Sequence, residues 1–135
     1  MANAVYPKYK ELLLGTQTAS SLTAGTVKVA LIDTADYTYN AAHDFYDDVS
    51  AGVVGTPQTI GSVTVTNGLF DGADVTFSAV TGDPCEALVI YIDTAGAAGT
   101  DPLVAYIDTG VTGLPVTPNG GDITITWNAS GIIQF

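Results

Sequence analysis

Residues 86–110 read EALVIYIDTAGAAGTDPLVAYIDTG. The first run, Glu86–Ile92, is apolar on both faces, so it predicts a central strand covered on both sides. Residues 93–102 are small and turn-forming, and LVAYI (103–107) makes the next strand. Working outward, ITITW (123–127) alternates cleanly and IIQF (132–135) reads as a strand. In DVTFSAV (74–80), Val75, Phe77 and Ala79 share a face. TVKVALI (26–32) places Val27, Val29 and Leu31 together. QTIGSVTVT (58–66) runs into Asn67-Gly68, a strong hairpin signal, and returns through Leu69-Phe70 to the turn Asp71-Gly72. The pattern gives about seven or eight strands with no crossover helix, an all-β chain of the antiparallel β-sandwich or jelly-roll-like kind. The expected core comprises Val29, Leu31, Val75, Phe77, Val89, Tyr91, Val104, Ile123, Ile125 and Trp127.

The N-terminal part reads differently. Pro7 suits a first helical turn, KYKELLL continues it and Gly15 stops it, which predicts a short helix over 7–14. TQTASSLTAG (16–25) is small and polar, a linker. The expected organisation is an N-terminal arm, residues 1–25, followed by a β-sandwich domain, residues 26–135. An eight-residue helix is marginal alone and needs a surface to pack on. Tyr6, Lys8, Tyr9, Lys10, Leu13 and Leu14 are therefore expected to dock on another protein surface, that of a sister subunit or of a partner. A second helical turn or two is expected in HDFYDDVS (43–50), with Phe45, Tyr46 and Val49 on one face.

Asp-Thr closes three apolar runs, at Asp33-Thr34, Asp93-Thr94 and Asp108-Thr109. Asp108-Thr109-Gly110 matches the way pepsin-like proteases present their catalytic aspartate. Such a site needs two carboxylates sharing a proton and a supporting apolar-apolar-Gly segment. The one candidate segment, Gly131-Ile132-Ile133, has its glycine first. A strand-end aspartate that caps the following turn explains all three copies.

Composition narrows the function classes. Charged residues make up 13% of the 135, about half of the usual share of about 25%. All three cations, Lys8, Lys10 and Lys28, lie in the first 28 residues, there is no arginine, and Glu11 is the one acid of that stretch. The other thirteen acids lie beyond Lys28 with no cation among them. Nucleic-acid binding needs Lys or Arg to neutralise phosphate, so it is not expected. No apolar run reaches about 18 residues and the first residues do not make a signal peptide, so no membrane association is expected. Cys85 is single, which excludes an internal disulfide. Asn128-Ala129-Ser130 matches the glycosylation triplet by chance.

Candidate chemistry is sparse. His43 lies beside Asp44, Asp47 and Asp48, but a transition-metal site wants two or more His or Cys ligands. Asp93, Asp101 and Asp108 flank one hairpin and can supply Ca²⁺ ligands, without the spacing of a dedicated calcium loop. No nucleophile elbow or phosphate-binding loop occurs. The expectation is a non-enzyme without catalytic, cofactor or metal residues.

The segments VKVALID (27–33), NAAHDFYDD (40–48), GLFDGADVTFSAVTGD (68–83), EALVIYIDT (86–94) and PLVAYIDTGVTGLPVTPNGGDITITW (102–127) resemble small structural proteins encoded among the head genes of tailed bacteriophages. Some of these are head decoration or cement proteins. The resemblance implies a β-sandwich that forms a homo-oligomer, dimer or trimer, on the capsid exterior. It also implies the major capsid protein as partner, a virion location after synthesis in the host cytoplasm, and no catalytic residues to carry over. The rival readings are a tail or fibre adhesin and a carbohydrate-binding domain using Tyr37, Tyr39 and Tyr46.

Overall fold

In the computed structural model, which describes residues 3–15 and 21–135, the chain enters a sheet almost at once. Ala4–Val5 (β1) pairs antiparallel with the later strand at 103–107, Ala4 opposite Tyr106 and Val5 opposite Ala105. The amide of Tyr6 then donates to the carbonyl of Val104 at 3.0 Å. Pro7–Leu14 (α1) follows, with the sequence-expected bounds, proline in the first turn and the Gly15 amide donating to Glu11 at 2.8 Å. This corrects the division into an arm and a body. Tyr6 is fully buried and Tyr9 nearly so, and residues 3–14 belong to the folded unit. A two-residue strand carries too little periodicity to be read from sequence. Part of the expected linker, residues 16–20, lies outside the described residues; Leu22, just beyond, is buried.

The remaining strands are Thr26–Ile32 (β2), Val53–Thr59 (β3), Thr64–Thr66 (β4), Leu69–Asp71 (β5), Val75–Phe77 (β6), Ala87–Asp93 (β7), Leu103–Ile107 (β8), Ile123–Ile125 (β9) and Ile133–Gln134 (β10). They form antiparallel sheets in the orders β1-β8-β7-β2-β3, β10-β5-β4 and β6-β9. The fold is mostly β with one α-helix. β7 sits centrally between β8 and β2, as its two-sided apolar sequence demands. Directly opposed residues in an antiparallel pair share a face, so the register sorts the sheet into two apolar sides. Ala30, Val89 and Tyr106 lie on one side together with Tyr91. That side is covered by residues 34–52, with Tyr39 packing on Tyr106 (ring centroids 5.5 Å) and Tyr46 stacking on Tyr91 (4.3 Å). The other side presents Val27, Val29, Leu31, Leu88, Ile90 and Ile107. It is buried in one cluster with Phe70, Phe77, Ile125 and Trp127. All ten residues expected in the core are buried.

Local departures have local causes. The run expected at 58–66 is broken between β3 and β4, and Ser62 there takes a positive φ of 52°. β3 begins earlier, at Val53, and its Gly55 and Pro57 hid it. Proline is tolerated because β3 is an edge strand, where one side of the ladder needs no donor. The Asn67-Gly68 hairpin forms as expected, Thr66 opposite Leu69, with φ positive at both central residues, 51° and 78°. Ala79 does not continue the apolar face of β6: it is exposed, and its φ of 49° redirects the chain so that Val80 is buried instead. Residues 43–52 form two short 3-10 turns, 46–48 and 50–52, rather than α-helical ones. In the long 110–121 loop, Gly113 has a φ of 117°, and a Cβ there would lie 2.6 Å from the Thr124 carbonyl oxygen, so glycine is required.

Candidate functional site

The three Asp-Thr strand ends share a latched threonine. At the first, the Ala35 amide donates to Asp33 Oδ1 at 2.8 Å, the turn cap the sequence predicts. The amide and hydroxyl of Thr34 both donate to Glu86 Oε1, at 2.9 and 2.7 Å. The second copy repeats this: the Ala95 amide bonds Asp93 Oδ1 at 2.8 Å, and both donors of Thr94 converge on Asp101 Oδ1 at 2.9 and 2.7 Å. In the third, Asn3 Oδ1 replaces the acid. It accepts the amides of Asp108 and Thr109 at 2.7 and 3.0 Å and the Thr109 hydroxyl at 3.3 Å. Each threonine is thus latched by one side-chain oxygen from outside its own turn, at Thr34 and Thr109 from a distant part of the chain. Sequence reading identified the aspartate caps and missed the latching partners, which are 52, 7 and 106 residues from their threonines. Asp101 is buried, and this latch is what makes a buried carboxylate tolerable.

The carboxylates expected to flank a cation site are used elsewhere. Asp93 pairs with Lys28 at 3.0 Å, and the Ala95 amide, followed by Lys28, holds it below the usual carboxylate range. Asp101 is latched to Thr94, and Asp108 lies at the opposite end of its hairpin strand, so the three do not form a ligand set among the described residues. Asp33, Asp36 and Asp83 do gather, with oxygens within 4.8 Å of one another. Three carboxylates supply part of the six to eight oxygens that Ca²⁺ takes. Sequence spacing gave no sign of this group, because Asp83 comes from the turn before β7.

His43 joins a chain of rings instead of a metal set. Its Nδ1 lies 2.9 Å from the Tyr37 hydroxyl, which lies 2.8 Å from the Tyr6 hydroxyl. Burial, then the bond to Tyr37, raises the phenol of Tyr6 far above its ordinary value. Beside His43, Asp48 Oδ2 accepts the Asp44 amide at 3.0 Å. Burial opposes ionisation of Asp48, but the amides of Asp44 and Phe45 prevail and lower it. Cys85 is buried, and burial followed by the charges of Glu86, Asp33 and Asp83 pushes its thiol up to about 11, the state of an inert thiol.

Of the expected docking residues, Tyr6 and Tyr9 are core, and burial pushes the Tyr9 phenol up to about 12. Lys8 pairs with Glu11 at 3.0 Å, so its charge is matched within the helix. Lys10 is exposed, Leu13 half-buried and Leu14 88% exposed. Leu13 lines a groove of about 400 Å³ together with Tyr9, Leu22, Val65 and Phe135. Val65 is 45% and Phe135 41% exposed, and with Leu14 these are the large exposed apolar side chains among the described residues. The end of α1, the edge strand β4 and the residue after β10 therefore build one apolar surface. Tyr37 is buried, and Tyr39 and Tyr46 pack against other rings, so none offers the exposed flat platform on which a sugar stacks.

No protein-family profile matches the sequence, and no curated protein matches it. Among the described residues no helix is long and apolar enough to cross a membrane.

Proposed function

We propose that the chain is a structural virion protein, a head decoration or cement protein that binds the exterior of a tailed-phage capsid and bridges neighbouring capsid subunits. The observation that carries this reading is the apolar groove lined by Leu13, Val65 and Phe135, with the exposed Leu14 next to Leu13 at the end of the helix. Contiguous exposed apolar surface, in a chain with so few charges, is the mark of a protein contact. The capsid shell is its occupant on this reading, and weak contacts repeated across a lattice add up to firm attachment. The thirteen acids beyond Lys28 fit a body that faces outward, away from packaged DNA. The fold is then a jelly-roll-like β-sandwich, with the five-stranded sheet as one layer and the two smaller sheets as the other. The protein works as a homo-oligomer, without catalysis, cofactor, nucleic acid or membrane.

The double variant Leu14→Glu, Val65→Glu tests the docking surface. Both side chains are exposed, so the circular dichroism spectrum should be unchanged. Co-sedimentation with undecorated particles should be lost. Undiminished co-sedimentation overturns the docking surface, and a loss of self-association alone assigns the groove to a second copy. Image reconstructions of particles made with and without the protein test the decoration role itself.

A further inference from the structure

Two asparagine-glycine pairs occur in the chain, Asn67-Gly68 and Asn119-Gly120. In such a pair the glycine amide nitrogen can attack the asparagine side-chain carbonyl carbon, because no Cβ on the second residue hinders the backbone. Both asparagines are exposed, so accessibility does not separate them. Hydrogen bonding does. The Gly120 amide donates to the Val80 carbonyl at 2.8 Å, and the Val80 amide donates to the Gly121 carbonyl at 3.0 Å. The Asn119 side chain is committed as well, its Oδ1 accepting the Gly121 amide at 2.9 Å. At Asn119, therefore, nucleophile and electrophile are both held by bonds that the reaction must break. At the hairpin tip between β4 and β5 the Gly68 amide has no hydrogen-bond partner among the described residues, and neither has the Asn67 side chain. The peptide joining them carries one hydrogen bond, from Nε2 of the exposed Gln134 to the Asn67 carbonyl at 3.1 Å.

We propose that Asn67 is a site of self-modification, converted to aspartate and isoaspartate by attack of the Gly68 amide, with water as co-reactant, while the fold protects Asn119. The Gly68 nitrogen gives its proton to hydroxide or another solvent base and bonds to Asn67 Cγ. The Cγ–Nδ2 bond breaks, and the side-chain nitrogen leaves as ammonia. Water then opens the cyclic imide at either carbonyl, so no oxidant or reductant is consumed. Both products add a negative charge, and isoaspartate also inserts one carbon into the backbone. A two-residue turn with positive φ at both positions has no room for that atom, so the β4–β5 register is lost. Gly68 lines the apolar groove with Val65 and Phe135, and its carbonyl accepts the Phe135 amide at 2.8 Å. The reaction therefore puts a charge beside that groove and loosens its wall, which makes docking decline as the molecule ages. This consequence rests on the docking reading; the reaction at Asn67 does not.

The test is peptide mapping by mass spectrometry of the full chain after timed incubation at mildly alkaline pH, folded and in guanidinium chloride. Deamidation is read separately at Asn67 and Asn119. The unfolded chain supplies the reference ratio of the two rates, which sequence alone sets. On folding, the ratio of Asn67 to Asn119 should rise about tenfold, the rate cost of giving up the hydrogen bonds that hold Asn119 and Gly120. An unchanged or falling ratio overturns the inference, and so does a folded chain in which Asn67 does not react. Ammonia release by the folded protein gives an independent reading: it should be largely lost in Asn67→Gln and retained in Asn119→Gln, and the reverse order overturns the assignment. Fresh and aged protein, compared by co-sedimentation with undecorated particles, test the consequence for docking. Aged protein that binds as well as fresh refutes that consequence. Fresh protein that does not bind refutes the docking reading, while the rate ratio at Asn67 still decides the modification.

Discussion

Replacing Tyr6 by alanine measures whether the N-terminal segment is core or appendage. Tyr6 is fully buried, its ring 5.2 Å from that of Tyr39 and its hydroxyl 2.8 Å from that of Tyr37. Truncating a buried aromatic to alanine costs about 3–5 kcal/mol, from lost transfer energy and the cavity left behind. Tyr6→Phe keeps the ring and removes only the hydroxyl; Tyr37 retains His43 as a partner, so the cost is about 0.5–1.5 kcal/mol. A urea slope of about 2 kcal/mol per molar turns these costs into midpoint shifts of about 1.5–2.5 M and about 0.25–0.75 M. Urea unfolding followed by far-ultraviolet circular dichroism reads both. An alanine variant with the wild-type spectrum and a stability within about 0.5 kcal/mol of wild type would refute the reasoning, since that is how surface substitutions behave. Equal losses in the two variants would place the energy in the hydroxyl pair rather than in packing.

Two other perturbations address the strand-end latches and the Lys28 pair. Asp101→Ala leaves both donors of Thr94 without their acceptor and should cost about 1–3 kcal/mol, whereas Asp101→Asn, which keeps an oxygen, should cost less; chemical denaturation orders the two, and the reverse order would show that the latch is not what holds the loop. Asp93 has a folded pKa below its unfolded value, so its contribution to stability is present above the ordinary carboxylate range and is lost as pH falls through the lowered value. Thermal unfolding across the acid range should therefore show a shallower loss in Lys28→Met than in wild type, and parallel curves would mean that the pair is not what lowers Asp93.

The antiparallel β class, the central place of β7, the ten core positions, the helix at 7–14 and the Asn67-Gly68 hairpin were legible in the sequence. Each rests on a local rule: two-residue alternation, an apolar run covered on both sides, proline at a helix start, or a dipeptide that tolerates positive φ. The aspartate caps at Asp33 and Asp93 were legible for the same reason, since cap and capped amide are two residues apart. Long-range closure decided the rest. Ala4–Val5 became a strand only because β8 offers an open edge, and that pairing moved Tyr6 and Tyr9 from an expected docking face into the core. The latches on Thr34 and Thr109 join residues far apart in the chain. A periodic pattern states which side of an element is apolar; which neighbour covers that side, and which polar group meets which, is settled when the sheets close.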